Sequence, residues 1–356
     1  MLSLWDSLYL VPLFSIGVAF LLILIKKRRE NRAMAQLDRQ DKIESLANPI
    51  AITAILFFTL IYATFISPFR PIMPYPLNLV TVVWYVLFLI VFLVLCLREH
   101  HRYKGPPQEE KDEKDLTLKY ELIRKVTHAT ILLIVLCYIA LGPLVMSILN
   151  WILSKVPFLG AKALNVNPIY YGQYSVVFLT VIAFLGLATS EIVRVFFYRS
   201  YPLKSVKVIF RQKEIGASLG SHISLAVGCM ATIIFFGPIY PDIVMASISI
   251  SAIADGAASI IGRRFGRHGY TGALSRKRKT FEGLLSATIV SFALSLIFLV
   301  YRFGIYSLLI AFVATGVLDL IDWLSPQISD NLLNPVLTSW AMVFVAGLLT
   351  VAGLIR

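Results

Sequence analysis

Ten apolar runs of roughly 18 to 23 residues follow one another along nearly the whole chain, each long enough to cross a bilayer core. They lie near 7–25, 48–67, 77–97, 126–148, 173–193, 215–236, 241–261, 282–301, 305–321 and 333–354. Lipid offers no partner to an exposed peptide group, so runs of this kind fold as helices that satisfy their own backbones. No long polar segment remains for a soluble domain. With 58% hydrophobic residues over 356 positions and a mean hydropathy of +0.78, an ordinary soluble globule is excluded. The expectation is an all-α polytopic membrane bundle of about ten transmembrane helices.

Loop charge orients that bundle. With the amino terminus outside, the inside loops carry 28 of the 33 Lys and Arg residues, leaving Arg70, Lys155, Lys162, Arg302 and Arg356 outside. The opposite orientation inverts the bias, so both termini are expected outside. The first span has no basic residue before it and Lys26, Lys27, Arg28 and Arg29 directly after it, the pattern of a retained anchor. The net charge of +13 is mostly this topology, plus attraction to anionic headgroups. No basic, aromatic-interleaved soluble module exists, so nucleic acid is not an expected partner. Cys96, Cys137 and Cys229 sit in separate spans without metal-ligand spacing and read as small core residues.

Two charged stretches divide the chain. Lys26–Ala47 reads as a surface helix or a connector, and the segment after Arg98, with Pro106-Pro107 and an EEKDEKD run, reads as a solvated linker. Residues 1–115 are thus expected to form peripheral spans with their linker, and 116–356 a functional core. There is no internal repeat.

Polar residues at membrane depth gather at one surface. Arg124, Lys125 and His128 open span four, Glu191 and Arg194 close span five, and Arg211 and Glu214 precede span six. Asp255 lies in the last third of span seven, Glu282 opens span eight, and Asp319, Asp322, Asp330 and Asn331 connect spans nine and ten. Under the charge-derived topology all of these fall on the cytoplasmic side. Asp255 is six residues from Ile261, roughly 9 Å at ~1.5 Å per residue.

The densest stretch runs from Asp255 to Gly283. An acid inside an apolar helix needs a function or a cation, and a Mg²⁺ ion on nucleotide phosphates would supply one. Ser247, Ser251, Asp255 and Ser259 recur every four residues and predict one helix face. Gly262 and Gly266 around Arg263 have two readings: backbone approaching an anion, with Arg263 clamping it, or close helix packing. The basic run through Lys277 and Lys279 is either an inside-facing anchor or a phosphate site, and Thr280 is placed to cap span eight. Arg124 and His128 share a helix face, while Glu191–Arg194 and Arg211–Glu214 have the spacing of structural ion pairs. Walker, Rossmann, protein-kinase, HExxH and G-x-S-x-G motifs are absent.

The pattern Asp255…Ala258…Gly262…Gly266…Lys279-Thr280…Glu282-Gly283 resembles the shared core of two membrane families that use CTP. They are the polyprenol kinases, including dolichol and phytol kinases, and the phosphatidate cytidylyltransferases. Arg124-Lys125…His128, Arg211…Glu214 and Asp330-Asn331-Leu332…Pro335 resemble elements of the kinases, whereas the late motifs of the cytidylyltransferases have no match here. The resemblance covers residues ~116–356. Arg278 stands where a second lysine is common, and Asp319 stands near an acid that is usually Glu.

The resemblance implies a CTP-dependent lipid kinase acting on an isoprenoid alcohol such as dolichol, embedded as a multi-pass protein in a plasma or ER membrane with its site facing the cytoplasm. Gly262, Arg263, Gly266, Lys277, Lys279, Thr280 and Glu282 would hold CTP; Asp255, Asp330 and Asn331 would hold Mg²⁺. Arg124, Lys125, Glu191, Arg211, Glu214 and Asp319 would support the site. His128 or a nearby carboxylate would accept the alcohol proton, with Asp255 and Lys279 at the reacting phosphates. The rivals are a cytidylyltransferase of the related family and, from another class, a transporter or scaffold, which should place charges at the midplane in two related halves.

Overall fold

The structure is a computed structural model that describes residues 8–33, 39–66, 72–73, 77–102, 132–155, 168–203, 219–275 and 278–355. The chain is an all-α polytopic membrane bundle. Its helices are α1 (Leu10–Ala33), α2 (Arg39–Ile66), α3 (Leu77–Arg102), α4 (132–155), α5 (Pro168–Phe196) and α6 (Ser221–Phe236), then α7 (Pro241–Phe265), α8 (Phe281–Phe303), α9 (Ser307–Leu324) and α10 (Asp330–Val351). Each expected span overlaps one of them. Among the described residues seven stretches are long and apolar enough to cross a membrane, with α8 and α9 falling in one 44-residue stretch and α6 shorter. A two-stranded antiparallel hairpin, β1 (Gly269–Thr271) and β2 (Arg278–Thr280), lies among the described residues between α7 and α8.

The chain divides into two compact units, residues 1–124 with 180–227 and residues 125–179 with 228–356. In the first, Phe20 meets Phe184 edge-on at 6.3 Å, and Gly17 leaves room for the Phe57 ring. Polar groups at depth there are partnered: the Tyr85 and Thr189 hydroxyls lie 2.9 Å apart, and Lys26 Nζ donates to the Val195 carbonyl at 2.7 Å.

The second unit is built around α7, α8, α9 and α10, which share a core that includes Ile250, Ala254, Leu299, Ile310 and Met342, all fully buried. α8 turns into α9 at Gly304, whose φ of +53° is a left-handed conformation that a side chain would strain. At the same end Arg302 donates to the Ile239 carbonyl and to Asp242 and lies over the Tyr240 ring, tying α8 to the start of α7. Gly228 of α6 lets α10 come close, since a Cβ there would stand 2.8 Å from Pro335 and 2.9 Å from the Leu332 carbonyl oxygen.

Helix α7 is not regular. A π turn over Ile250–Ala254 includes Ser251 and ends just before Asp255. The wider turn displaces the four-residue stripe expected from the sequence: Ser247 and Ser251 are buried, whereas Asp255 and Ser259 are half-buried. The helix also runs on to Phe265, four residues beyond the expected end, which leaves Asp255 roughly 15 Å of helix from its carboxyl end.

The crossing of α7 and α8 is made on small residues. A Cβ on Gly283 would stand 2.8 Å from the Ala258 carbonyl oxygen, and one on Gly262 would stand 2.7 Å from Thr280 Oγ1. One on Gly266 would stand 2.5 Å from Thr280 Cγ2. Thr280 thus occupies the hollow that Gly262 and Gly266 leave. Gly316 on α9, by contrast, has nothing within 4 Å. Gly283→Val should therefore cost about 1–3 kcal/mol through overpacking against backbone that cannot yield. It should lower the melting temperature in detergent, while Gly316→Ala leaves it nearly unchanged. Equal effects from the two would show that the crossing does not depend on close approach.

Candidate functional site

The hairpin between α7 and α8 is registered Gly269↔Thr280, Tyr270↔Lys279 and Thr271↔Arg278. Its turn lies on the carboxyl end of α9. The amides of Ala273 and Leu274 donate to the carbonyls of Trp323 (3.2 Å) and Leu324 (2.8 Å), filling acceptors that a helix end leaves open. Ser325 ends α9 in a left-handed conformation, and Gly272 packs on it where a Cβ would collide with the Ser325 side chain. The turn is therefore anchored to α9 through Gly272, Ala273 and Leu274.

Side chains reinforce that anchoring. Asp322 of α9 forms an ion pair with Lys279 and accepts a hydrogen bond from the Tyr270 hydroxyl at 2.8 Å. Tyr270 stacks on Trp323 at 5.6 Å and tilts against Phe281 at 5.0 Å. Burial raises the Tyr270 hydroxyl well above the ordinary tyrosine value, and its hydrogen bond to Asp322 and the charges of Asp322 and Asp319 raise it further. One turn before Asp322, Asp319 accepts from Thr288 Oγ1 at 3.0 and 3.1 Å. These two carboxylates bind the hairpin and α8 to one face of α9.

At the start of α8, Thr280 takes the capping role expected of it and accepts from the Gly283 amide at 3.2 Å. The Phe281 amide donates to the His268 carbonyl at 3.0 Å. The Phe281 and Gly283 amides at the start of α8 are therefore both engaged within the protein. Glu282 turns toward His268, accepting from its backbone amide at 3.2 Å and its ring Nδ1 at 2.7 Å. Beside this pair a cleft of about 400 Å³ is lined by His268, Phe281, Glu282, Leu284, Leu285 and Thr288.

The other expected residues fall as follows. Arg263 is exposed on the last turn of α7, while Gly262 and Gly266 face Thr280, which accounts for both glycines by packing. Asp330 opens α10 and accepts from the Asn331 amide at 3.2 Å, and Asn331 is buried. Among the described residues no three or more His, Cys, Asp or Glu side chains gather as a metal site. Glu191 belongs to the first unit, where Arg194 grips it with two 2.8 Å hydrogen bonds, the Gly220 amide adds one at 2.7 Å and His222 lies 3.7 Å away. That is a buried, fully partnered ion pair, the structural reading of its spacing. Arg124, Lys125, His128, Arg211, Glu214 and Lys277 lie outside the described residues.

Tyr270, His268 and Thr288 were not singled out by the sequence. Their partners are 52, 14 and 31 residues away, so only a fold brings them together. Tyr270→Phe should lower stability by about 1 kcal/mol at neutral pH, the size of one hydrogen bond. Because the folded hydroxyl is raised, the wild-type advantage is present at neutral pH and is lost as pH rises through that raised value, beyond the ordinary value of about 10. Melting temperatures of the pair across pH check this; equal values at neutral pH would refute it.

A stretch of 100 residues in this chain is 32% identical to a phytol kinase of Synechocystis sp., covering 28% of this chain and 36% of that protein. The matched stretch thus spans about a third of the relative's length. No protein-family model matches the chain, and no solved structure matches it. The similarity supports a phytol-kinase-like relationship for a chain whose fold is a multi-pass membrane bundle.

Proposed function

We propose that this chain is a membrane phosphotransferase that moves the γ-phosphoryl group of CTP to an isoprenoid alcohol, dolichol or another polyprenol, at the cytoplasmic face. The observation that carries the reading is the locked α7–hairpin–α8 unit. It holds Lys279 and the exposed Arg263 at the end of a helix that carries Asp255. The partial similarity to a phytol kinase supports the kinase branch over a cytidylyltransferase.

Phosphoryl transfer needs charge neutralised on the triphosphate, an acceptor in line and exclusion of water. Lys279 is held by Asp322 at a half-buried position, so its ammonium is oriented before any nucleotide arrives. Arg263 offers a planar fork to phosphate oxygens. Asp255, with Asp330 and Asn331, would hold Mg²⁺. The absence of a ready cluster of three ligands among the described residues suits an ion that arrives on nucleotide phosphates, since Mg²⁺ commonly uses one or two carboxylates with the substrate's oxygens. Bound there, the ion would neutralise charge developing between the β- and γ-phosphates. The isoprenoid tail would lie against apolar helix faces with its hydroxyl at the hairpin end.

The reading is tested by incubating purified protein with γ-labelled CTP and a panel of lipid alcohols. Label recovered on an alcohol, with release of CDP, supports it; a CDP-lipid with pyrophosphate release would make the chain a cytidylyltransferase instead. Asp255→Asn should remain folded and lose transfer by at least about a hundredfold, the scale of removing one preorganised electrostatic partner. Near wild-type activity would sink the metal assignment. Lys279→Ala should raise the KM for CTP about tenfold to a hundredfold, as loss of a charge-assisted contact does. A change in expression alone would make the basic run a topological anchor.

A further inference from the structure

The cleft beside the hairpin has a direction. Phe281, Leu284, Leu285 and Thr288 stand three or four residues apart, so they form one stripe along the first two turns of α8. Phe281 and Leu285 are exposed on a membrane-spanning helix, so this flank opens toward lipid. At the hairpin end the lining becomes polar, with His268 and Glu282, and His268 is 77% exposed. An apolar track ending in one hydrogen-bonding group is complementary to a single-headed amphiphile that slides in from the bilayer.

The polar end is also built for proton transfer. Glu282 accepts from the His268 backbone amide and from ring Nδ1, so one carboxylate fixes both the chain and the imidazole. Its place in the first turn of α8, at the positive end of the helix dipole, favours the charged carboxylate. An ionised carboxylate only accepts, so Nδ1 carries the hydrogen and Nε2 is the ring's basic nitrogen. A carboxylate that orients an imidazole is the arrangement by which general bases are commonly aligned.

We propose, on the phosphotransferase reading above, that the lipid alcohol binds in this cleft and that His268 Nε2 is its general base, with Glu282 as positioning residue. The alcohol O–H bond breaks and its proton goes to Nε2. The oxygen bonds to the γ-phosphorus, and the bond from that phosphorus to the bridging oxygen breaks with its electron pair leaving on the nucleoside diphosphate. The imidazolium then returns the proton to water. Thr288, bonded to Asp319, lines the cleft two turns along α8 from Phe281.

Three measurements on the full-length protein in lipid nanodiscs test this. His268→Asn should lower kcat by ~10²–10⁴-fold, leave the KM for CTP unchanged and remove the acidic limb from the kcat–pH profile. Glu282→Gln should lower kcat less and displace that limb without removing it. Leu285→Trp, which fills the lipid-facing side of the cleft, should raise the KM for the alcohol at least tenfold with the KM for CTP unchanged. A photoreactive isoprenoid alcohol should label residues 281–288 of the wild-type protein, a readout that needs no variant to fold. Wild-type kcat and pH profile in His268→Asn, or labelling confined to other helices, overturns the assignment while wild-type transfer keeps the phosphotransferase reading. A wild-type protein that transfers phosphate to no alcohol overturns that reading itself.

Discussion

The approach of α7 to α8 over Gly262, Gly266 and Gly283 sets where the hairpin between these helices stands, and with it Lys279 and His268. Thr280 fills the hollow beside Gly262 and Gly266 and at the same time caps α8, so one residue serves packing and helix termination together. Helices in lipid gain little from burying apolar surface against each other. Contacts this close, through dispersion and backbone approach, are what hold such pairs. The glycine spacing, which has two readings in the sequence, has a packing role in the structure, where it makes room for Thr280.

From that crossing the hairpin reaches across to α9. Two backbone hydrogen bonds to the end of α9, the Lys279–Asp322 ion pair and the Tyr270–Trp323 stack hold it. The Lys279–Asp322 pair is half-buried but still reached by water, where an ion pair contributes about 1 kcal/mol, so it matters more for orienting the ammonium than for stability. The contrast with Glu191 and Arg194 is instructive. That pair is buried with its oxygens fully occupied, the arrangement a charge needs to survive at depth, and nothing about it is left over for a ligand. At the hairpin, His268 stays exposed beside a cleft, which is where chemistry has access.

Several features followed from local sequence. The spans and the cap at Thr280 rest on hydropathy and helix-end chemistry, which act over a few residues. The regular serine stripe does not survive, because a π turn over Ile250–Ala254 turns the face between Ser247 and Asp255, and no local propensity marks such a turn. The two-stranded hairpin was also missed, since three-residue strands flanked by basic residues carry no alternation strong enough to separate them from loop.

The sequence by itself determined that this chain lives in a bilayer as a helix bundle, because each apolar run must satisfy its own backbone regardless of what lies beside it. It also determined where acids and bases cluster along the chain. Only the tertiary structure decided which of them meet: Lys279 with Asp322 across 43 residues, Thr288 with Asp319 across 31, and His268 with Glu282 across a hairpin. Such partners are chosen by helix crossings and strand register, where a few tenths of an ångström at a glycine decide what fits, and that information is spread over segments distant in sequence.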